Sequence, residues 1–506
     1  MRRIDVLLCA LLSGTPALAQ APLSAIDWLN QAPVPVARPL VPPAAEPPVS
    51  DGVSVPEVTV MPLDETVRDA VGLLPGSVTG LPASLWSASR EADLMALWID
   101  VAEDPLPAIQ ALYYTLLLAE AEAPTAANGA FLASRVDNLL RLGAVEPAQA
   151  LVERAGPETP GLFARWFDLT LLSGDEDKAC AALTRTPDLH PDYAARIYCT
   201  ALAGDWATAA LLFDSADALG ALQATERRLL AHFLDPEAAE DALELAPART
   251  PTPLIFRLYE AVGTPLPTRN LPLAFAVADL RNSSGWKAEL EAAERLVRTG
   301  ALSENRLLAL YTDRSPAASG GVWDRVEAIQ ALDNALSAND GAAASRALTP
   351  AWRHMRGQGL EAAFARLFAE RLGAADLTPE ARHLAYRLAL LTPEYETAPV
   401  PADADPETRF LASIARGAPE AELATTPAEQ AILRAFAPPV AAAHEDALLL
   451  REGKLGEAIL QAAARFDRAA GNLADLTAGL RTLRAVGLED TARRAALQLL
   501  ILDGAA

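Results

Sequence analysis

The chain has 506 residues, of which 66 are acidic and 42 are Lys or Arg, so its formal net charge at pH 7 is −24. A surface of this charge repels phosphate, and the basic residues form no cluster, which argues against nucleic-acid binding and against docking on anionic lipid. Aromatic residues make up only 6% of the chain, and runs rich in Val, Ile and Thr are nearly confined to the region before residue 62, so the composition favours helix over strand.

The N-terminus has the three parts of a bacterial-type secretory signal peptide. Arg2 and Arg3 precede a short apolar stretch, and small residues, Ala17 and Ala19, follow it. The apolar stretch is too short to span a bilayer permanently, and the small residues suit the narrow pockets of a signal peptidase. We therefore expect cleavage after Ala19, which makes residues 1–19 the signal peptide and the mature protein periplasmic. No later apolar run is long enough to predict a membrane span.

Residues 20–83 form the next segment, which is rich in Pro and Ala. Because proline prevents helix formation, we expect a disordered, partly polyproline-II tether. Two short islands interrupt it, residues 24–31, which include Trp28, and residues 53–61. Each island is a candidate motif for docking on a partner or on the protein's own body, and the sequence does not choose between these.

Helical periodicity begins at about residue 84 and continues to the end of the chain. The predicted helices are short and end at Gly or Pro, a pattern that is typical of helical hairpins. The sequence therefore predicts an all-α fold in two helical-repeat regions, residues 84–330 and residues 331–506.

A glycine followed five residues later by an alanine recurs along the chain. The pairs are Gly143 and Ala148, Gly174 and Ala179, Gly204 and Ala209, Gly453 and Ala458, and Gly487 and Ala492, with Gly357 and Ala362 as a weaker instance. Glycine can end the first helix of a hairpin in a left-handed conformation, and a small alanine lets the next helix approach closely. A single hairpin cannot cover its own apolar face, so such units are expected to stack.

Residues 204–209 read Gly-Asp-Trp-Ala-Thr-Ala and resemble the helical turn of the tetratricopeptide repeat family. This resemblance implies an α-solenoid whose concave face holds peptides or partner domains, and it implies no chemistry. The first three glycines are 31 and 30 residues apart, whereas the family repeats every 34 residues or so. A related solenoid and an ordinary irregular helical bundle both remain open.

Cys180 and Cys199 are the cysteines that remain after removal of the signal peptide. A turn-forming segment, residues 185–191, lies almost midway between them, so antiparallel flanking helices would bring the two sulfurs to the same level. In an oxidising compartment we expect a disulfide between them, and two separately buried thiols are the alternative.

The sequence contains no recognisable catalytic constellation. The five histidines are far apart, no serine lies in a nucleophile elbow, and no phosphate-binding glycine loop occurs. We therefore predict no catalytic residue, no cofactor and no metal.

Two features have residue types that suit recognition. The first is the loop of residues 311–323, in which Arg314 and Trp323 are candidate partner contacts, with a flexible connector as the alternative. The second is an aromatic set that we expect to lie mainly in the core: Trp166, Phe167, Trp206 and Phe213.

These features favour a non-catalytic periplasmic scaffold that binds a protein or peptide partner of a cell-envelope machine. The layout is similar to that of exported helical motility proteins of alphaproteobacteria, which implies an accessory role at the flagellar motor. A helical module associated with peptidoglycan enzymes and a structural or stress-protective Ala-rich protein are the alternatives.

Overall fold

The computed structural model describes residues 67–503, apart from residues 100, 103, 238–245, 282, 317 and 470. The predicted signal peptide, most of the predicted tether and Trp28 lie outside the described residues.

All regular secondary-structure elements of the described residues are helices, which confirms the all-α prediction. Isolated bridges, Leu74 with Ala119 and Arg90 with Thr125, are the β-type pairings among them. The α-helices are α1 (Gly76–Thr79), α2 (Glu91–Ile99), α3 (Pro107–Leu118), α4 (Ala130–Arg141), α5 (Val145–Arg154), α6 (Pro160–Ser173), α7 (Asp177–Arg185), α8 (Tyr193–Leu202), α9 (Trp206–Ala218), α10 (Ala224–Leu234), α11 (Pro253–Ala261), α12 (Ala276–Asp279), α13 (Trp286–Arg298), α14 (Glu304–Asp313), α15 (Val322–Ser337), α16 (Gly341–Arg356), α17 (Glu361–Ala374), α18 (Pro379–Ala389), α19 (Pro406–Ala415), α20 (Pro427–Phe436), α21 (His444–Arg451), α22 (Leu455–Asp467), α23 (Leu473–Ala485) and α24 (Glu489–Gln498).

Short 3-10 helices connect several of these elements, and a π-helical turn follows α24. The 3-10 helices are Arg68–Ala70, Ala83–Leu85, Pro187–Leu189, Thr268–Asn270, Leu273–Phe275, Tyr395–Thr397 and Ala421–Leu423, and the π-helical turn is Leu499–Asp503. None of the helices in the described part of the chain combines the length and the apolar character that crossing a bilayer requires.

Polar side chains fix where many helices begin. At the start of α20, the Glu429 N–H donates to Thr426 Oγ1 at 3.2 Å, and the Thr426 N–H donates to Glu429 Oε2 at 2.7 Å, so two otherwise unpaired backbone donors are satisfied. Other helices begin at a side-chain oxygen that accepts from a first-turn N–H, namely those of Asp192, Asp205, Thr252, Ser303, Asp340, Thr378, Asp405 and Asn472.

The five strongest glycine–alanine pairs occupy equivalent places at helix ends. The glycines at positions 143, 174, 204, 453 and 487 have φ between 77° and 89°, a left-handed conformation that L side chains resist. Each alanine five residues later is fully buried in the following helix. At Gly204, the turn is closed by the Gly204 N–H donating to Ala201 O and the Asp205 N–H donating to Thr200 O.

The weaker pair, Gly357 with Ala362, does not follow this pattern. Gly357 has φ −62°, and the left-handed residue after α16 is Gly359, with φ 67°. A further turn of the expected type lies at Asn339, where φ is 54° and Ala344, five residues on, is fully buried. Asparagine tolerates the left-handed conformation better than most side chains do, so a search for glycine alone misses this turn.

Residues 67–83, which fall in the segment assigned to the tether, are described as part of the structured body. The buried Asp69 carboxylate accepts from the Gly129 and Leu132 N–H groups at 2.7 and 2.8 Å. Arg135 is fully buried and donates to three backbone carbonyls, those of Val71, Leu117 and Ala119. Burial lowers the pKa of Arg135 to about 10, and the charge of Asp69 opposes that shift.

The first helices pack against the last ones. Helix α2 contacts α22, and α3 contacts both α22 and α24. The backbone N–H of Ala108 donates to Gln498 Oε1 at 2.7 Å, and Tyr113 Oη donates to Asp467 Oδ2 at 2.7 Å. Gly456 lies directly against the Trp86 ring, where a larger residue would overlap it.

The C-terminal end of α13 joins three distant parts of the chain. Thr299 Oγ1 donates to Leu142 O at 2.7 Å, Gln110 Nε2 donates to Arg298 O at 3.3 Å, and Arg298 Nε donates to Gln358 O at 2.8 Å. In a solenoid each unit contacts only its neighbours along the chain. The structure therefore does not confirm the expected α-solenoid.

One large hydrophobic core includes buried residues from Val71 to Ile501, and Ala276, Ala292 and Leu296 form a second, small cluster. The described residues from 67 to 503 belong to one unit, and positions 330 and 331, where the sequence predicts a boundary, both lie inside α15.

The cysteine prediction is confirmed, because Cys180 in α7 and Cys199 in α8 form a disulfide with their Cα atoms 4.9 Å apart. Both cysteines are buried. The bridge links the neighbouring helices α7 and α8, which are joined by the turn that the sequence predicts.

We predict that Gly456→Ala destabilises the protein by about 1–3 kcal/mol, because the added methyl group would overlap the Trp86 ring. Gly373→Ala in α17 is the matched control, since a Cβ there meets no other atom and alanine favours helix. Urea denaturation of both variants measures the difference. Equal stabilities for the two variants would show that Trp86 and Gly456 are not in close contact.

We predict that replacing both cysteines, Cys180→Ser with Cys199→Ser, lowers the free energy of unfolding by about 2–4 kcal/mol, because the bridge restricts the unfolded chain. A reducing agent should lower the urea midpoint of the wild-type protein and leave that of the double variant unchanged. A wild-type midpoint that does not respond to the reducing agent contradicts the bridge.

Candidate functional site

The loop of residues 311–323 ends beside a tryptophan that the sequence analysis did not single out. Trp323 at the start of α15 packs against Trp286 at the start of α13, with ring centroids 5.1 Å apart. The Arg314 guanidinium lies 5.9 Å from the Trp286 ring centroid, within cation–π range. The structure thus brings Arg314 and Trp323 together through Trp286.

One hydrogen bond holds the Trp286 ring, and two others hold the backbone at the start of the loop. Trp286 Nε1 donates to Leu310 O at 3.0 Å. Gln330 Nε2 donates to the carbonyls of Tyr311 and Arg314, both at 2.7 Å. Trp323 remains partly exposed although it also packs against the core.

Below the aromatic pair lies a buried ionic network centred on Glu294. Arg325 donates to both carboxylate oxygens, Nε to Oε1 at 2.7 Å and Nη2 to Oε2 at 2.6 Å, and Tyr311 Oη donates to Oε1 at 2.7 Å. Burial raises the pKa of Tyr311 well above its ordinary value, and the Glu294 charge adds to this shift. Tyr311 therefore remains a hydrogen-bond donor, and Glu294 is fully neutralised by its own neighbours.

A cleft of about 800 Å³ opens beside this network. We call it the cationic cleft, and its walls are Pro267, Thr268, Arg269, Asp279, Gly285, Trp286, Lys287, Ala288, Glu291, Ala292, Glu294, Arg295, Arg298, Trp323, Arg325 and Gln358. Five of these residues are cationic and three are carboxylates. The cleft therefore has a local positive excess in a chain whose formal net charge is −24.

Three of the cleft arginines have no carboxylate partner among the residues that the structure describes. Within the described ranges, Arg269, Arg295 and Arg298 form no ion pair, although Arg295 donates to the carbonyls of Thr268 and Leu271 at 3.0 and 3.1 Å. Burial lowers the pKa of Arg295, the Arg298 charge adds to that shift, and Asp279 opposes it. These guanidiniums retain N–H donors and positive charge for a further group.

The second candidate surface is an exposed face of α9, defined by Trp206, Ala207, Ala210 and Leu211. All four are exposed, Trp206 by 49% and Leu211 by 66%. Helix α9 buries only the small residues at positions 209 and 216 fully, with Leu212 and Phe213 partly buried, so the opposite side remains uncovered by the described residues. An exposed apolar face of this kind marks an interaction site more often than does a single exposed residue.

The aromatic set therefore divides. Trp166 and Phe167 are buried, as expected, and Phe213 is partly buried. Trp206 is not a core residue, because it lies at the first turn of α9 and is half exposed. Its ring centroid lies 5.6 Å from that of Phe233. The sequence signal that could have identified it is the run of apolar residues at 206, 207, 210 and 211, which lies opposite the buried alanines.

In the part of the chain that the structure describes, no group of three or more His, Cys, Asp or Glu side chains is placed to hold a metal ion. Comparison with protein-family models, with curated protein sequences and with solved structures finds no match to this chain. The two candidate surfaces therefore have to be judged by their own chemistry. Helix α9 offers apolar area, and the cleft offers aromatic rings beside guanidiniums that form no ion pair within the described residues.

Proposed function

We propose that this protein is a non-catalytic, exported helical scaffold that binds protein partners in the periplasm as part of a cell-envelope machine. The observation that carries the proposal is the exposed face of α9. Trp206 and Leu211 leave a large apolar area in water, and covering such an area with a partner is favourable by about 25 cal/mol per Å².

The disulfide supports the proposed compartment. Bridges such as Cys180–Cys199 form and persist in oxidising compartments, and the bacterial periplasm is one of these. The predicted signal peptide, residues 1–19, would direct export to that compartment. An accessory role at the flagellar motor is one specific form of the proposal.

We further propose that the helical hairpins are degenerate repeats related to the tetratricopeptide family. Support comes from the shared turn at the five glycines, which is also present at Asn339, and from the buried alanine that follows each of them. In this proposal, the repeats have lost the strict period and gained the long-range contacts of α13, so binding has moved from a concave groove to the α9 face and the cleft.

The experiment places a photo-crosslinking amino acid at Leu211 in the full-length protein in its native cells. We expect a discrete crosslinked product with another envelope protein, because the side chain is exposed by 66% on the apolar face. Val78 is the matched control position, since it is an apolar helix residue exposed by 68% on a different helix, α1. The product should form from position 211 and disappear when Trp206→Glu is added.

If positions 211 and 78 give the same products, or if Trp206→Glu leaves the product at full yield, the α9 face is not a partner-binding surface. Circular dichroism of the Trp206→Glu variant is the folding control, and it should match the wild type because Trp206 lies outside the core.

A further inference from the structure

The cationic cleft differs from the rest of the chain in the sign of its charge. Of its three carboxylates, one is neutralised by an arginine and two keep their negative charge, against four remaining cations. Glu294 is held by Arg325 and Tyr311, and Asp279 accepts hydrogen bonds from Thr268 and Ser284. The third, Glu291, lies 3.7 Å from Lys287, a distance at which an exposed pair contributes little.

The cations that remain are well suited to carboxylates. Guanidinium groups present planar pairs of N–H donors that match the two oxygens of a carboxylate. Arg269, Arg295 and Arg298 form no ion pair within the described residues, and they share one cleft. The N-terminus of α13 also faces the cleft, at Gly285 and Trp286, and no side chain caps it, so its partial positive charge adds to theirs.

From this juxtaposition we propose that the cationic cleft binds a short acidic peptide segment of a partner protein, with side-chain carboxylates on Arg269, Arg295 and Arg298 and apolar side chains on Trp286 and Trp323. The proposal deepens the proposed function, on which it rests, by naming the chemistry of one partner.

Size and charge together favour a peptide over the other anions. A cleft of about 800 Å³ accommodates a few residues, and its tryptophan wall offers apolar area that inorganic anions do not use. A nucleic acid would bring a dense row of phosphates against a chain of net charge −24, whereas a short peptide places only its few carboxylates inside the cleft.

The test uses the full-length protein and a fluorescent peptide of alternating Glu and Leu, with the same peptide carrying Gln for Glu as the neutral probe. Fluorescence anisotropy at low and at high salt measures the affinities. We expect the acidic peptide to bind at least about tenfold more tightly than the neutral one, and to lose affinity as salt rises.

Two variants locate the binding. Arg269→Glu should weaken the acidic peptide about tenfold, whereas Arg228→Glu, an exposed arginine on α10 that likewise has no ion pair within the described chain, should leave the affinity unchanged. Glu291→Gln should tighten binding by a few fold because it removes a negative charge from the cleft wall. A gain of affinity cannot result from misfolding.

The proposal is overturned if the neutral peptide binds as tightly as the acidic one, or if Arg269→Glu and Arg228→Glu have equal effects. It is also overturned if the acidic peptide binds only after residues 20–62 are deleted, because the occupant would then be the protein's own N-terminal segment. The crosslink from position 211 reports on α9 alone. Failure of peptide binding with an intact crosslink therefore removes only this inference, and loss of the crosslink with intact peptide binding removes only the α9 proposal.

Discussion

The contact between Trp86 and Gly456 is the constraint on which the rest of the structure depends. Glycine leaves room for the indole ring, and this close approach lets α2 and α3 pack against α22 and α24. Two hydrogen bonds hold the same junction, a buried one from Ala108 to Gln498 and a partly buried one from Tyr113 to Asp467. Long-range contacts of this kind oppose the independent opening of single hairpins, because each hairpin shares its core with residues far away in the chain.

Helix α13 links this packing to the candidate binding chemistry. Its C-terminal end is bonded to α3, α4 and the turn after α16, which fixes its position, and its N-terminal end forms one wall of the cationic cleft. Glu294, between the two ends, is neutralised by Arg325 and Tyr311. Because this network is satisfied internally, the arginines on the cleft surface keep their charge available for a ligand.

Local features of the fold could be predicted from the sequence, and long-range ones could not. Helix ends, the left-handed glycines and the cysteine bridge depend on residues close together in the chain, so Gly204 and Cys180 are placed as their neighbours indicate. The long-range contacts join residues far apart in the chain, such as Gln110 and Arg298, and no rule of sequence spacing predicts such a pair. Arg314 and Trp323 could be identified from the sequence because they lie in one loop. Trp286 and the three arginines without an ion pair in the described chain come from separate segments, and only the packing brings them together.

Native-state hydrogen exchange at increasing denaturant tests the central claim most directly, namely that the first and last helices of the described chain form one packed structure. We predict that amides of α2 and α3 lose protection in the same transition as those of α22 and α24, since neither group can open without exposing the core of the other. Loss of protection in α22 and α24 at a distinctly lower denaturant concentration, with α2 and α3 still protected, would contradict the account and would indicate an array in which each hairpin contacts only its neighbours.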